Sequence, residues 1–157
     1  MSESSRQHKK EAPSRLGFAV IVVSTSRFEA HKLMKHVDDL SGDLIVKLLE
    51  KARHKMVYKA LVPDDRGLIG QKMSEALGLK EVDAIITCGG TGIAPSDVTI
   101  ETVRPMLTKT LPGFGELFRR LSFDEIGSAA LLSRALAGVT DRKAVFCLPG
   151  SPQAVRL

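Results

Sequence analysis

Apolar residues fall along this chain in two rhythms. Residues 16 to 24, "LGFAVIVVS", form an unbroken apolar and β-branched run, the pattern of a strand covered on both faces. "MVYKALVP" (56–63) reads as a second strand closed by Pro63, and "EVDAIITC" (81–88) as a third. "RKAVFCLPG" (142–150) returns to the same pattern and stops at a proline-glycine turn. Between these runs the spacing changes. From Gly42, "GDLIVKLLEKARHK" places Leu44, Ile45, Leu48 and Leu49 on one helical face, with Asp39 or Ser41 as its cap. "DDRGLIGQKMSEALG" supplies a second helix that ends near Gly78. "TIETVRPML" begins as a helix interrupted near Pro105, and "PGFGELFRRLSF" is helical after its glycines, with "SFDE" reading as a helix cap. "SAALLSRALAG" fits either a helix end or a strand. Residues 26 to 42, "SRFEAHKLMKHVDDLSG", are too charged and irregular for a core element and read as a long loop. Residues 1 to 15 are polar without apolar period and read as a flexible tail.

Strand, helix, strand, helix, strand at this spacing predicts a single α/β domain over residues 16 to 157. Its expected architecture is a three-layer α/β/α arrangement around a mostly parallel central sheet. Right-handed crossovers bring the loops after the strands to one edge, where ligands of such sheets bind. "STSR", "VPDD", "GGTGIAPSD" and "LPGSPQ" therefore become candidates for one site.

Composition narrows the class without changing that picture. At 157 residues, 43% apolar and 26% charged, the chain has the make-up of an ordinary globular domain. It has no apolar run of the ~18 residues a membrane span needs and no signal core behind its first residues, so a cytoplasmic protein without membrane contact is expected. Cys88 and Cys147 form no metal or redox pattern. The net charge of +5 is scattered and the chain has one tyrosine and no tryptophan, which argues against nucleic acid as a main partner.

The loop "TCGGTGIAPSDVT" (87–99) carries the most chemistry. Gly89, Gly90, Thr91 and Gly92 follow a strand and precede a helix, which lets backbone N–H groups approach a phosphate closely. The loop is neither a Walker P-loop nor GxGxxG, and by itself a tight turn explains it equally well. Gly150 and Ser151 repeat the arrangement before a helix that Pro152 opens, although an ordinary capped turn accounts for that loop too. Asp64 and Asp97 each lie just past a strand end. Singly, each reads best as a turn or cap residue. Together, beside two phosphate-type loops, they suit Mg²⁺, which takes one or two carboxylates plus phosphate oxygens.

"IITCGGTGIAPSDVT", "LPGFGELFR", "LLSRALAG" and "LPGSPQAV", joined in order by "VVSTSR", "DLSGD" and "LVPDD", resemble the molybdopterin adenylyltransferase family. That family comprises MogA and MoaB proteins and the G domains of plant Cnx1 and gephyrin, and the likeness is greatest to stand-alone MoaB. It covers residues 16 to 157. It implies transfer of AMP from Mg-ATP to the phosphate of molybdopterin, with release of pyrophosphate, and later hand-over to a molybdenum-inserting protein. It also implies a homotrimer or hexamer. By motif, Asp64 and Asp97 become the functional aspartates and Mg²⁺ ligands. Ser24, Thr25, Gly89, Gly90, Thr91, Gly92, Ser96, Glu116, Ser133, Arg134, Pro149, Gly150 and Ser151 become the substrate and nucleotide contacts. A non-catalytic molybdopterin-binding or scaffold paralogue is the alternative. The relatives continue beyond "PGSPxAV", so either the chain extends past Leu157 or a partner subunit covers the apolar surface there.

Overall fold

The computed structural model describes residues 13–157. The tail expectation, for residues 1–12, lies outside the described residues.

One six-stranded sheet organises the chain, in the order β2-β1-β3-β6-β5-β4. β1 (Gly17–Val23), β2 (Lys55–Val62), β3 (Ala84–Cys88) and β6 (Lys143–Leu148) run parallel. β5 (Leu136–Thr140) is antiparallel to β6, and β4 (Lys109–Thr110) antiparallel to β5. β5 and β6 are joined at Asp141 and Arg142, both at positive φ (48° and 63°), the backbone of a type I′ hairpin turn.

The continuous apolar runs become strands because both faces are covered. Every residue of β1 is buried. Ala19, Ile21 and Val23 point to one core together with Ile85, Val145 and Cys147, under α3 (Arg66–Gly78) and α4 (Thr99–Val103). Phe18, Val20 and Val22 point to the other, under α2 (Leu40–Lys51) through Ile45 and Leu49. α5 (Pro112–Ile126) covers that second face further along, where Phe114 packs on Phe146 with ring centroids 5.4 Å apart. The short α6 (Pro152–Arg156) lies beside α2 and brings Val155 to the same core. The expected three layers and mostly parallel sheet are present.

Three local expectations are corrected. Residues 26 to 42 are not one long loop, because Thr25–Lys32 forms helix α1 and α2 already starts at Leu40. α1 buries no residue, so it has no apolar stripe to betray it. Of the two possible caps for α2, Asp39 serves, accepting the Gly42 N–H at 3.0 Å. "SFDE" is not a cap but the interior of α5. There the Ser122 hydroxyl donates to the Phe118 carbonyl (2.8 Å) and Asp124 pairs with Arg120 one turn earlier (2.8 Å). "SAALLSRALAG" proves to be both alternatives in succession, a 3₁₀ turn over Gly127–Leu132 followed by β5. The helix before Pro105 ends as expected, in a 3₁₀ turn over Arg104–Met106.

Ile85 sits fully buried on β3 between β1 and β6. Ile85→Ala should therefore cost about 2–5 kcal/mol, as core Ile truncations do. The check is a lower denaturant midpoint at an unchanged slope.

Candidate functional site

β2 lies on one side of β1 and β3 on the other, so the chain reverses its winding direction at the β1/β3 pair. Crevices at such switch points, beyond the carboxyl ends of the strands, are where α/β sheets hold ligands. The described residues place a cavity of about 610 Å³ there, lined by segments that follow β1, β2, β3 and β6.

The segment after β1 turns directly into α1. Ser24 is extended (φ −163°), donates its amide to the Val62 carbonyl (2.8 Å) and accepts the Arg27 N–H at 3.5 Å as cap. Thr25 then meets Asp64 from β2's end. Its hydroxyl donates to Asp64 Oδ2 at 2.7 Å, its amide reaches the same oxygen at 3.2 Å, and the Asp64 amide donates back to Thr25 Oγ1 at 3.0 Å. A carboxylate at the first turn of a helix is favoured by the helix dipole. The neighbouring Asp65 does separate work, capping α3 by accepting the Leu68 N–H at 2.8 Å.

After β3, Gly89 and Gly90 adopt φ of +108° and +61°, backbone that side chains rarely tolerate. The turn is braced from below. The Gly89 amide donates to the Leu148 carbonyl (3.0 Å), and Thr99 donates its amide to the Gly90 carbonyl and its buried hydroxyl to the Gly89 carbonyl, both at 2.9 Å. Bare backbone is required for a second reason. A Cβ on Gly90 would lie 2.6 Å from Asp64 Oδ1, and one on Gly92 would lie 2.6 Å from Asp97 Oδ2. Each carboxylate thus stands over one glycine of the loop. Asp97 accepts the Ala94 N–H at 2.9 Å, and α4 takes Val98 as its cap without a side-chain bond, so Asp97 is not the helix cap that its position suggests.

The remaining walls are held by polar struts. Arg134 donates Nε to the Thr91 carbonyl (2.9 Å) and grips Glu101 with both terminal nitrogens (2.8 and 3.0 Å). This bidentate bond, above all, holds the Glu101 carboxyl below the usual carboxylate range. Ser151 caps α6, accepting the Ala154 N–H at 3.1 Å. Two residues that the loop reading missed fix the same corner. The buried Ser41 hydroxyl donates to the Gly150 carbonyl at 2.8 Å, and the Cys88 thiol donates to the Pro149 carbonyl at 3.6 Å. Burial, aided by the charge of Asp39, pushes the Cys88 thiol up to about 12.

Of the residues named from sequence, Ser24, Thr25, Asp64, Gly89, Gly90, Thr91, Gly92, Asp97, Ser133, Arg134, Pro149, Gly150 and Ser151 line this one cavity. Ser96 and Glu116 do not. Ser96 is exposed and is not among the residues lining the cavity. Glu116 borders a separate cavity of about 210 Å³ with Arg104 and Arg119. Arg27 lines the main cavity from the "STSR" segment, and Ala129 and Leu132 line it without having been foreseen. No group of three or more His, Cys, Asp or Glu side chains among the described residues is arranged to hold a metal by itself. Asp64 and Asp97 have no cationic partner among the described residues. Two such carboxylates fit a hard divalent cation that completes its shell with water and phosphate oxygens, and do not fit a structural metal.

A mostly parallel α/β sheet with a glycine turn, two carboxylates and capped helix starts at its switch point is an arrangement able to hold a phosphate ligand. The particular family follows from the sequence relationships. The profile of the family described as "Probable molybdopterin binding domain" matches residues 19–157, and the chain belongs to that family. It is 46% identical over 155 residues to the "Molybdenum cofactor biosynthesis protein B" of Halalkalibacterium halodurans, covering 98% of this chain and 87% of that one. It is 40% identical over 154 residues to the "Molybdopterin adenylyltransferase" of Pyrococcus furiosus, covering 96% and 86%. The crystal structure of the "tungsten cofactor synthesizing protein MoaB" of the same organism superposes with a TM-score of 0.80 at 39% identity, covering 92% of this chain and 88% of that one. The motifs of the sequence thus resolve to the family they resemble.

Both cysteines are buried, and burial also pushes Cys147 up, to about 11. At pH 8 the folded protein should react with a thiol reagent such as DTNB only on the timescale of unfolding, and denaturant should release both thiols. The folded state keeps these protons longer than the unfolded chain, whose thiols ionise near 9. Stability is therefore retained below that pH and falls as pH rises from about 9 toward 11, measurable as a declining denaturation midpoint.

Proposed function

We propose that the protein is a molybdopterin adenylyltransferase of molybdenum cofactor biosynthesis, using ATP and Mg²⁺. The observation that carries this reading is the placement of Asp64 and Asp97. Both carboxylates, neither with a cationic partner among the described residues, stand against glycines of one turn in a cavity large enough for a nucleotide or pterin. The names carried by the relatives supply the substrate class.

The reaction forms a bond between a molybdopterin phosphate oxygen and the α-phosphorus of ATP. It breaks the α–β bond, and pyrophosphate leaves with the electron pair. The attacking phosphate monoester is largely dianionic at pH 7, with a second pKa of about 6, so no strong general base is required. The obstacle is bringing two polyanions together: unit charges 4 Å apart repel by about 4 kcal/mol at an effective dielectric of 20. Mg²⁺, held through Asp64 and Asp97, would neutralise charge on the phosphates. The chain's own contribution is orientation. Thr25 fixes Asp64 through three hydrogen bonds, Thr99 and Leu148 fix the glycine turn, and Ser41 and Cys88 fix the loop carrying Gly150 and Ser151. Arg134 is spent on Thr91 and Glu101, so it acts in this reading as a strut for the turn, with Ser133 beside it facing substrate.

A cytoplasmic homotrimer or hexamer that hands its product to a molybdenum-inserting protein belongs to the same reading. Among the described residues no helix is long and apolar enough to cross a membrane.

In a single-turnover reaction with molybdopterin, ATP and Mg²⁺, adenylylated pterin and pyrophosphate should form in equal amounts and vanish on chelation. Asp64→Asn and Asp97→Asn should each lower the rate on the order of 10²-fold or more, the size seen when charge stabilisation is removed from a preorganised site. Their melting temperatures should stay near that of the parent. Full turnover by both variants at an unchanged Mg²⁺ requirement would remove the carboxylates from the mechanism. Tight pterin binding without product would instead make the protein a carrier or scaffold.

A further inference from the structure

The charge balance of the main cavity is incomplete in a way that singles out one residue. Its lining contains two cations, Arg27 and Arg134, against Asp64 and Asp97. Arg134 is saturated: Nε serves the Thr91 carbonyl and both terminal nitrogens serve Glu101. Its charge is already matched by a carboxylate that lies outside the cavity lining. That leaves Arg27 as the one lining cation not matched by a close carboxylate, in a cavity read as a site for polyanions.

Arg27 is positioned but not consumed. It stands in the first turn of α1, behind Ser24, Thr25 and Ser26, which also line the cavity. Its Nε donates to the Asp38 carbonyl at 3.2 Å, which fixes the plane of the guanidinium. Its only acidic neighbour among the described residues is Asp39, and Nη1 stands 4.0 Å from Asp39 Oδ1, a loose approach. Asp39 is otherwise engaged, with Oδ1 taking the Gly42 N–H at 3.0 Å and Oδ2 taking Lys59 Nζ at 3.0 Å. The side chain is about one-quarter exposed and lines the cavity, and among the described residues its terminal nitrogens make no contact closer than that to Asp39. A planar guanidinium anchored by Nε, with its terminal N–H groups open, suits bidentate contact with a phosphate.

We infer that Arg27 is the phosphate-contacting cation of this site, donating its terminal N–H groups to a phosphate of one of the two substrates from the α1 wall of the cavity. The assignment rests on the adenylyltransferase reading. It names a binding residue that lies outside the aspartate and glycine motifs.

The test is calorimetric titration of the full chain with Mg-ATP and, separately, with molybdopterin, for the parent, Arg27→Ala and Arg27→Lys. Thermal melting is run on each. Loss of a charge-assisted hydrogen bond should raise the Kd of one of the two ligands about tenfold or more in Arg27→Ala. The lysine variant should recover part of the loss, and the melting temperature should move little. The ligand whose Kd rises identifies which phosphate Arg27 meets. If the parent binds both ligands and Arg27→Ala binds both within about twofold of it, the assignment is overturned while the adenylyltransferase reading stands. A lowered melting temperature with unchanged Kd values would likewise overturn it, making Arg27 a tether for the Asp38–Asp39 segment. If the parent binds neither ligand, the adenylyltransferase reading fails first and takes the assignment with it.

Discussion

The glycine turn at the end of β3 is the constraint on which the rest of the site depends. β1 and β3 are adjacent and parallel, so their carboxyl ends leave the sheet side by side, and the turn passes directly against the Val23 carbonyl. A Cβ on Gly89 would enter that carbonyl, and one on Gly90 would enter the Thr99 hydroxyl and the Asp64 carboxylate. Positive φ at both residues closes the turn within the space available. Because it is so short, Asp64 from β2 and Asp97 from beyond β3 stand over the same few backbone atoms. The loop after β6 closes the third side, where a side chain at Gly150 would press on the Gly89 Cα at 3.2 Å. The loops after β3 and β6 can pack this closely, and leave room for the Asp64 and Asp97 carboxylates, because they are bare backbone where they meet.

The electrostatics follow from that geometry. Backbone dipoles and two carboxylates leave the cavity with little positive charge of its own, and one of its two arginines is held by Glu101. Such a site suits ligands that arrive with a divalent cation and then need orienting more than activating. The groups around it are tuned the same way. Cys88 stands at the foot of the Pro149–Ser151 loop, yet its thiol is pushed up to about 12 by burial, so it works as a weak donor and packing group, not as a nucleophile. Ser41 is fully buried and spends its proton on Gly150, a contact spanning 109 positions in sequence.

Much of this was legible in the chain. β1, β3 and β6 are covered on both faces and therefore read as continuous apolar runs, while α2 and α3 carry caps that the sequence displays. Once the order of elements is known, convergence of the four loops is a topological consequence. What stayed hidden has physical causes. α1 buries no side chain, so its only local sign is the Ser24 cap, and β4 is two exposed residues that exist because β5 offers an edge. Glu116 was drawn toward the site by its motif, but the start of α5 faces β5 and not the switch point, so it borders another cavity. Ser41 and Cys88 act through contacts with residues distant in sequence, which no local pattern encodes.

The pair Asp64–Asp65 shows how closely the two kinds of information are joined. From sequence the two are equivalent turn residues after Pro63. Both lie past the end of β2, in a bend where the Asp65 amide donates to the Pro63 carbonyl at 2.8 Å, and the Asp64 side chain lines the cavity while that of Asp65 turns toward the helix that follows. α3 needs a side-chain acceptor at its first turn, because its leading N–H groups have no partner within the helix. Asp65 meets that need at 2.8 Å from the Leu68 amide. Asp64 is thereby released from capping its own helix and is instead held by the first turn of α1, a neighbouring element. A single aspartate would have to choose between ending the loop and serving the site. Two in succession let the bend after β2 assign the roles, and the carboxylate that reaches the cavity is the one whose partners come from β1's side of the switch point.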